Sequence, residues 1–228
     1  RRIQQANELY KTGDYKAAVA LFKEAESLVP DFPTLWLNKG FTCRQLIVPG
    51  SKTPDSIEGS KCALSAFKRY QELKPQDTRG EALYVQTLFD SDEFETLAKM
   101  YEDRYRQNQK DADSVHGLIQ VYSKWNKVED ALQWYRVAAD LRPNDAEAQY
   151  AVGVFLYNQL FQKGGSGDKM MFDPRPDPNK PKDKKVPPPF AYGDIIAQQR
   201  VDYADEGIKY LLRAVELRPK YTDAMVYI

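Results

Sequence analysis

The residues that could support catalysis or metal binding are few in this sequence. His116 is the only histidine among 228 residues, so a serine–histidine or cysteine–histidine dyad would have one candidate base. Together with Cys43 and Cys62, the only cysteines, it makes a poor zinc set. No His-Glu-x-x-His sequence is present. The sequence therefore predicts a protein that is not an enzyme and that holds no metal or other cofactor.

Two further segments resemble ligand-binding loops only in part. The run Gly-Gly-Ser-Gly-Asp-Lys at 164–169 lacks the Gly-x-x-x-x-Gly-Lys-Ser/Thr spacing of a phosphate loop. The run Asp-Pro-Arg-Pro-Asp-Pro-Asn at 173–179 has alternating carboxylates but lacks the glycine and glutamate that complete a calcium loop. Neither nucleotide nor calcium binding is predicted.

The overall charge balance narrows the class of partner. Lys and Arg number 33, Asp and Glu also number 33, and the formal net charge is zero. Nucleic acids and anionic lipids are bound through a basic face, which this balance does not favour. No apolar run approaches the roughly 18 residues that a membrane-spanning helix needs. A protein or peptide partner is therefore predicted, with no nucleic acid and no membrane-spanning segment.

The cysteines and the chain start bear on the cellular compartment. Cys43 and Cys62 both lie in apolar helical patterns, and we expect two buried thiols, with a disulfide between them as the alternative. The chain begins Arg-Arg-Ile-Gln-Gln, without a methionine or a signal peptide, inside a helical pattern. We expect a fragment whose targeting information is missing, so that cytoplasmic and periplasmic locations both stay open.

The helices that would position any binding residues recur along the sequence as a repeat. Five similar helical stretches occur, and four of them end in proline. From the second to the third of these prolines the spacing is 68 residues, which is twice 34; the other two spacings are 45 and 76. A period of 34 with two insertions, of 11 and 42 residues, accounts for all three. The four prolines are Pro30, Pro75, Pro143 and Pro219.

Within each period, small and aromatic residues recur at fixed places. Repeat position 20 is alanine in three repeats and position 24 is aromatic in four. The period and these residues resemble the tetratricopeptide repeat family, most clearly in repeats 1, 2, 4 and 5. Position 8 is held by Ala6, Gly40, Val85, Ile119 and Gly153, position 20 by Ala18, Ala63, Leu97, Ala131 and Gly207, and position 24 by Phe22, Phe67, Tyr101, Tyr135 and Leu211.

The resemblance implies an all-α fold, a right-handed superhelical solenoid of antiparallel helix pairs in one domain, 1–228. Small residues let paired helices approach, and each unit buries its apolar face against its neighbour. Helix pairs are predicted at 1–11 and 14–28, 33–46 and 56–73, 79–90 and 93–107, 112–124 and 128–141, and 146–162 and 195–217. The repeats span about 1–30, 31–75, 76–109, 110–143 and 144–219, followed by a truncated helix at 222–228.

Two insertions interrupt the period. The first, 47–57, contains Pro49, Gly50 and Pro54 and is predicted to be a surface loop whose end caps the next helix at Asp55 or Ser56. The second, 163–194 in repeat 5, holds half of the 14 prolines, which favours extended backbone. Its apolar residues predict that it is pinned to the solenoid. The predicted anchors are Met171, Phe172, Phe190 and Tyr192.

In the resembled family, certain positions of each first helix line a concave groove. Asparagine and glutamine at such positions can hold peptide backbone, and aromatic residues supply apolar contact. We therefore expect a scaffold or adaptor that binds an extended partner segment. The alternatives are an assembly module acting through its solenoid ends, with self-association at the exposed C-terminal end, and a regulatory region of a larger protein. The predicted groove residues are Asn7, Asn38, Phe41, Arg79, Gln86, His116, Gln120, Tyr150, Val154 and Tyr157.

Overall fold

The computed structural model describes residues 1–162 and 197–228, and the predicted insertion at 163–194 lies outside them. The described residues form eleven α-helices and no strand. The helices are α1 (Arg2–Lys11), α2 (Tyr15–Glu26), α3 (Pro33–Arg44), α4 (Pro54–Leu73), α5 (Arg79–Asp90), α6 (Phe94–Gln107), α7 (Ala112–Lys124), α8 (Val128–Leu141), α9 (Ala146–Gln162), α10 (Ala197–Leu217) and α11 (Thr222–Met225).

The predicted all-α repeat architecture is confirmed, and most helix bounds agree with it within two residues. The first insertion differs in one respect. Helix α4 begins at Pro54 with Thr53 as its N-cap, so the capping prediction at Asp55 or Ser56 was wrong. Proline suits the first helical position because its missing N–H would have no partner there. The segment between the two helices is therefore 45–53, two residues earlier in the chain than the predicted 47–55.

The chain divides into two compact units. Unit 1 comprises residues 1–107 with 124–126, and unit 2 comprises 108–123 with 127–228. Unit 1 therefore holds α1 to α6, and unit 2 holds most of α7 and all of α8 to α11. That all five repeats form one solenoid over 1–228 stays a prediction.

In unit 1, the core forms where small residues of one helix face large residues of the next. A Cβ on Gly40 of α3 would lie 2.4 Å from the Phe67 ring of α4, so this position cannot hold a side chain without displacing the ring. Ala6 and Phe22, from the same repeat positions in α1 and α2, are fully buried together. The Trp36 indole packs on this cluster and donates a 2.7 Å hydrogen bond to the Pro30 carbonyl.

Unit 2 repeats the same packing rule. A Cβ on Gly153 of α9 would lie 2.5 Å from Cγ of Leu211 in α10. These are positions 8 and 24 of the fifth repeat, as Gly40 and Phe67 are of the second. The second helices α8 and α10 are also joined by Arg136, whose guanidinium makes two hydrogen bonds of 2.6 and 2.5 Å to the Glu206 carboxylate.

The two cysteines form a disulfide, so the expectation of two buried thiols was wrong. Cys43 of α3 and Cys62 of α4 are bonded, with their Cα atoms 5.8 Å apart. The physical reason is the close approach of the two helices. A Cβ on Gly59 would lie 2.9 Å from the carbonyl oxygen of Cys43, and Gly40 already accommodates Phe67. This approach brings the two Cα atoms within the range that a disulfide requires.

Candidate functional site

Helices α1 and α3 of unit 1 enclose an open concave site of about 400 Å³. Both are first helices of their repeats, the helices that the family resemblance placed along the groove. Three of the predicted groove residues, Asn7, Asn38 and Phe41, line this site together. The remaining lining residues are Gln4, Glu8, Tyr10, Lys11 and Thr42.

An amide pair forms the polar part of this site. The Asn38 Nδ2 group donates a 3.1 Å hydrogen bond to Oδ1 of Asn7. Each side-chain amide can both donate and accept, so the Asn7 NH₂ group and the Asn38 Oδ1 atom retain capacity for a ligand. Phe41 supplies an apolar wall; its side chain is 37% exposed and its ring packs edge-on against Phe67, with centroids 5.7 Å apart. The site therefore combines backbone-like hydrogen-bonding groups with an aromatic surface.

Gln86, which was also predicted for the groove, makes its hydrogen bond inside unit 1. Its Nε2 group donates to Oδ1 of Asp90 at 2.8 Å, and the other oxygen of Asp90 accepts a 2.6 Å bond from Arg44. The side chains of Arg44 and Asp90 are about three-quarters buried. Gln86 thus supports a largely buried ion pair between α3 and α5.

Arg79 lies at the start of α5, where it binds the preceding turn. Its guanidinium is 2.6 Å from Oδ2 of Asp77 and 3.0 Å from the Tyr70 hydroxyl. The hydrogen bond from Arg79 holds the pKa of the Asp77 carboxyl below its usual range, and the hydrogen bond to Asp77 raises the pKa of Tyr70. The charge of Arg79 is compensated here, and its role in a groove stays a prediction.

Unit 2 presents a different surface on its first helix. Tyr150, Val154 and Tyr157 are spaced four and three residues apart along α9, so they share one face of that helix. Tyr150 contacts the ring of Tyr221 at 4.9 Å and that of Tyr227 at 6.1 Å between centroids, and Tyr157 contacts Tyr227 at 4.7 Å. We call Tyr150, Tyr157, Tyr221 and Tyr227 the tyrosine ladder.

One end of the tyrosine ladder carries a compensated charge pair. The Tyr221 hydroxyl donates to one oxygen of the Glu147 carboxylate, and Arg218 binds the other oxygen at 2.7 Å. The guanidinium of Arg218 also lies over the Tyr221 ring, 4.4 Å from its centroid. Burial, followed by the bond to Glu147, raises the pKa of Tyr221. The bonds from Tyr221 and Arg218 lower the pKa of Glu147.

Tyr221 was missed by the sequence reasoning. It lies just after repeat 5, at the N-cap of α11. The signal that could have found it is local: it follows Pro219 by two residues, and a buried tyrosine hydroxyl needs a polar partner. The tertiary packing supplies that partner as Glu147, 74 residues away in sequence.

His116 and Gln120 of α7 contact each other, with 2.9 Å between the two Nε2 atoms. His116 also lines a space of about 460 Å³ between α7 and the end of α8. Charged residues of both signs surround that space, namely Lys110, Asp140 and Arg142. The role of this pair in a groove stays a prediction.

The structure describes only part of the chain to which the remaining predictions refer. Met171, Phe172, Phe190 and Tyr192, the proposed anchors of the insertion, lie outside the described residues. Within 1–162 and 197–228, no group of three or more His, Cys, Asp or Glu side chains could hold a metal ion. Every helix in those two ranges is too short or too polar to span a bilayer.

No protein-family model matches the sequence, and no curated protein matches it. Several solved structures are similar to it at low identity. YrrB, described as a TPR protein with an unusual peptide-binding site, has 13% identity and a TM-score of 0.42 over 99% of this chain and 89% of its own. MamA from Desulfovibrio magneticus RS-1 has 12% identity and a TM-score of 0.41 over 96% and 94% of the two chains.

The human IFIT1 dimer with m7Gppp-AAAA has 15% identity and a TM-score of 0.38, over 93% of this chain and 41% of its own. Because the identities and TM-scores of all three are low, the fold assignment rests on the repeat contacts within this chain, such as Gly40 against Phe67 and Gly153 against Leu211.

Proposed function

We propose, from the tetratricopeptide-like fold of this chain, that it is a protein-interaction scaffold that binds an extended segment of a partner protein on its first helices. The observation that carries the proposal is the pair Asn7 and Asn38, hydrogen-bonded to each other at the wall of an open site of about 400 Å³. A scaffold of this kind performs no chemistry on its partner.

The amide pair suits a peptide main chain. An extended peptide has backbone N–H and C=O groups that do not bond to each other. Each of these groups needs a hydrogen-bond partner once water is displaced. The Asn7 NH₂ group can donate to a peptide carbonyl, and the Asn38 Oδ1 atom can accept from a peptide N–H. These hydrogen bonds recognise the peptide backbone and place little constraint on the side chains of the partner.

Aromatic residues at the same site supply contact area. Phe41 and Tyr10 line the same site, one on each helix and each three residues after the asparagine of its helix. Aromatic side chains give large apolar contact while losing little rotamer freedom, which is why they are common at binding sites. A partner segment with apolar side chains flanking an exposed backbone therefore fits this site best.

The test uses peptides selected from a phage-displayed library of random extended sequences. The dissociation constant of a selected peptide is measured by fluorescence polarisation against the wild-type chain and the double variant N7A/N38A. Losing two hydrogen bonds should weaken binding by about five- to a hundredfold. Gln5→Ala is the matched control, because Gln5 is an exposed amide on α1 outside the site.

The circular dichroism of each variant should match the wild type, since Asn7 and Asn38 form no part of the buried core. A double variant that keeps its helix content and binds selected peptides as tightly as the wild type would exclude the α1–α3 site as the binding site.

A second candidate function is assembly through the surface of α10. Val201, Ile208 and Leu212 are 53%, 38% and 46% exposed, and their spacing of seven and four residues puts them on one stripe. The corresponding residue to Ile208 in the preceding repeat is Leu132 of α8, which is fully buried against α9 and α10. An apolar stripe that is covered in one repeat and open in the next favours an association surface.

Light scattering over a range of concentrations tests this candidate. If the chain associates through α10, the mass of the wild type should rise with concentration, and the variant I208E/L212E should stay monomeric. Gln133→Glu on α8, an exposed position outside the stripe, is the control for added charge. A wild type that stays monomeric throughout would rule out self-association by this surface.

A further inference from the structure

We propose that the tyrosine ladder of unit 2 receives a cationic side chain, arginine or lysine, from a basic segment of the partner protein. This inference rests on the proposed function, because it names the chemistry of a segment that the scaffold binds. It assigns the ladder, Tyr150, Tyr157, Tyr221 and Tyr227, to recognition of positive charge.

The molecule already contains one example of this recognition. The Arg218 guanidinium lies 4.4 Å from the centroid of Tyr221, the first ring of the ladder. The face of a tyrosine ring is electronegative and attracts a cation within about 6 Å of its centroid. The ladder thus binds an internal guanidinium at one end, where Glu147 neutralises the charge.

The other end of the ladder is formed by Tyr157 and Tyr227. Their planes are 78° apart and their centroids are separated by 4.7 Å, so the two rings form a corner. Both side chains are partly exposed. They line a recess of about 200 Å³ whose wall includes Gly153, a position without a side chain, and Leu160. A ring corner of this kind can contact a planar guanidinium or an ammonium group on two sides.

The charges around the ladder favour a cation over an anion. Burial, followed by Tyr227, raises the pKa of Tyr150, and the nearby carboxylates of Asp223 and Glu147 add to this rise. Glu147 is neutralised by Arg218, whereas Asp223 makes no ion pair with any described residue. An incoming arginine or lysine would pair its positive charge with the Asp223 carboxylate, and an incoming carboxylate would be repelled.

Aromatic surfaces also bind proline rings and neutral polar groups, so charge must be separated from shape. The probes are fluorescein-labelled peptides that alternate glycine with four arginines, four citrullines or four prolines. Citrulline keeps the shape and hydrogen-bonding atoms of arginine but carries no charge. Fluorescence polarisation at constant ionic strength measures the three dissociation constants.

The arginine peptide should bind about two- to thirtyfold more tightly than the citrulline peptide, the range expected for a cation over aromatic rings. Tyr157→Phe should retain this preference, because the ring face remains, and Tyr157→Leu should lose most of it. Asp223→Asn should also weaken the arginine peptide, and as an exposed position it leaves the core intact.

Equal affinity for arginine, citrulline and proline peptides would overturn the inference. So would a Tyr157→Leu variant that keeps its helix content and the full arginine preference; if that variant does not fold, Tyr157→Phe and Asp223→Asn decide. These failures are distinct from failure of the proposed function. If N7A/N38A weakens selected peptides while arginine and citrulline bind equally, the scaffold function stands and the role of the ladder falls.

Discussion

The two compact units build the same repeat with different side chains on their first helices. In unit 1 the first helices carry an amide pair, Asn7 and Asn38, beside Phe41. In unit 2 the first helix α9 carries Tyr150 and Tyr157 within the tyrosine ladder. The packing positions show no such difference, since a glycine faces a large side chain in both units. The repeat therefore fixes the core and leaves the chemistry of the exposed positions on the first helices free to vary.

The units also differ in how their helices are held together. Unit 1 has a covalent bond, Cys43–Cys62, between the two helices of one repeat. Both units also have side-chain pairs between the second helices of successive repeats: Lys16–Asp55 and Lys23–Glu58 in unit 1, and Arg136–Glu206 and Tyr203–Glu129 in unit 2. The disulfide therefore predicts that reduction weakens unit 1 and spares unit 2.

Reduction of the disulfide should have the largest effect, and only in unit 1. The bond closes a loop of 19 residues, and a cross-link of that length stabilises by about 3 kcal/mol in the chain-entropy description. Hydrogen exchange followed by mass spectrometry should show faster exchange in 33–73 after reduction, with 146–160 and 203–225 unchanged. The variant C43S/C62S should match the reduced wild type and should not respond to reductant. Equal acceleration in both units would contradict the separation.

Substitution of the packing glycines should have the next largest effect, of similar size in the two units. Gly40→Ala and Gly153→Ala each force a Cβ to within 2.4 or 2.5 Å of a buried side chain. Overpacking of this kind costs about 1–3 kcal/mol, measurable as a lower urea midpoint. Gly207→Ala is the matched control, because its Cβ would meet nothing closer than 3.5 Å. A control as destabilised as Gly153→Ala would show that the contact distance does not set the cost.

Acidification should produce the smallest effect, near α11 of unit 2 through Glu147 and at the start of α5 in unit 1 through Asp77, whose pKa is also lowered. The folded-state pKa of Glu147 is lowered by Tyr221 and Arg218, so its contribution to stability is fully present above the unfolded pKa. It is lost as the pH falls below about 4.5 and through the lower folded value. Hydrogen exchange at 218–225 should therefore rise in acid more steeply in the wild type than in Glu147→Gln. Identical pH profiles would indicate that the pair contributes no stability.

Local signals explain how much of the fold could be predicted. Helix bounds followed from apolar periodicity and from prolines such as Pro30 and Pro143, because helix formation depends on near neighbours in sequence. The pairing of Gly153 with Leu211 was also within reach, since the period gives both residues defined repeat positions. Asn7, Asn38 and Phe41 could be placed together on the same basis.

Partners distant in sequence could not be predicted in the same way. The disulfide depends on how closely α3 and α4 approach, which the glycines allow but no spacing rule states. Gln86 and Arg79 looked available for a ligand, yet Asp90 and Asp77 bind them. Whether a polar side chain faces a ligand or a neighbour is a competition among contacts that only the folded chain presents.

By itself, the sequence determined the repeat, its helices and the small-to-large packing, because each depends on residue type and period. The tertiary structure alone decided which polar groups neutralise one another and which stay open. It joined Cys43 to Cys62 and placed the Arg218 guanidinium over the Tyr221 ring. It also paired Arg218 with Glu147, which is 71 residues away in sequence. The reason is that electrostatic and covalent pairing require proximity within a few ångströms, and proximity across tens of residues is set by packing.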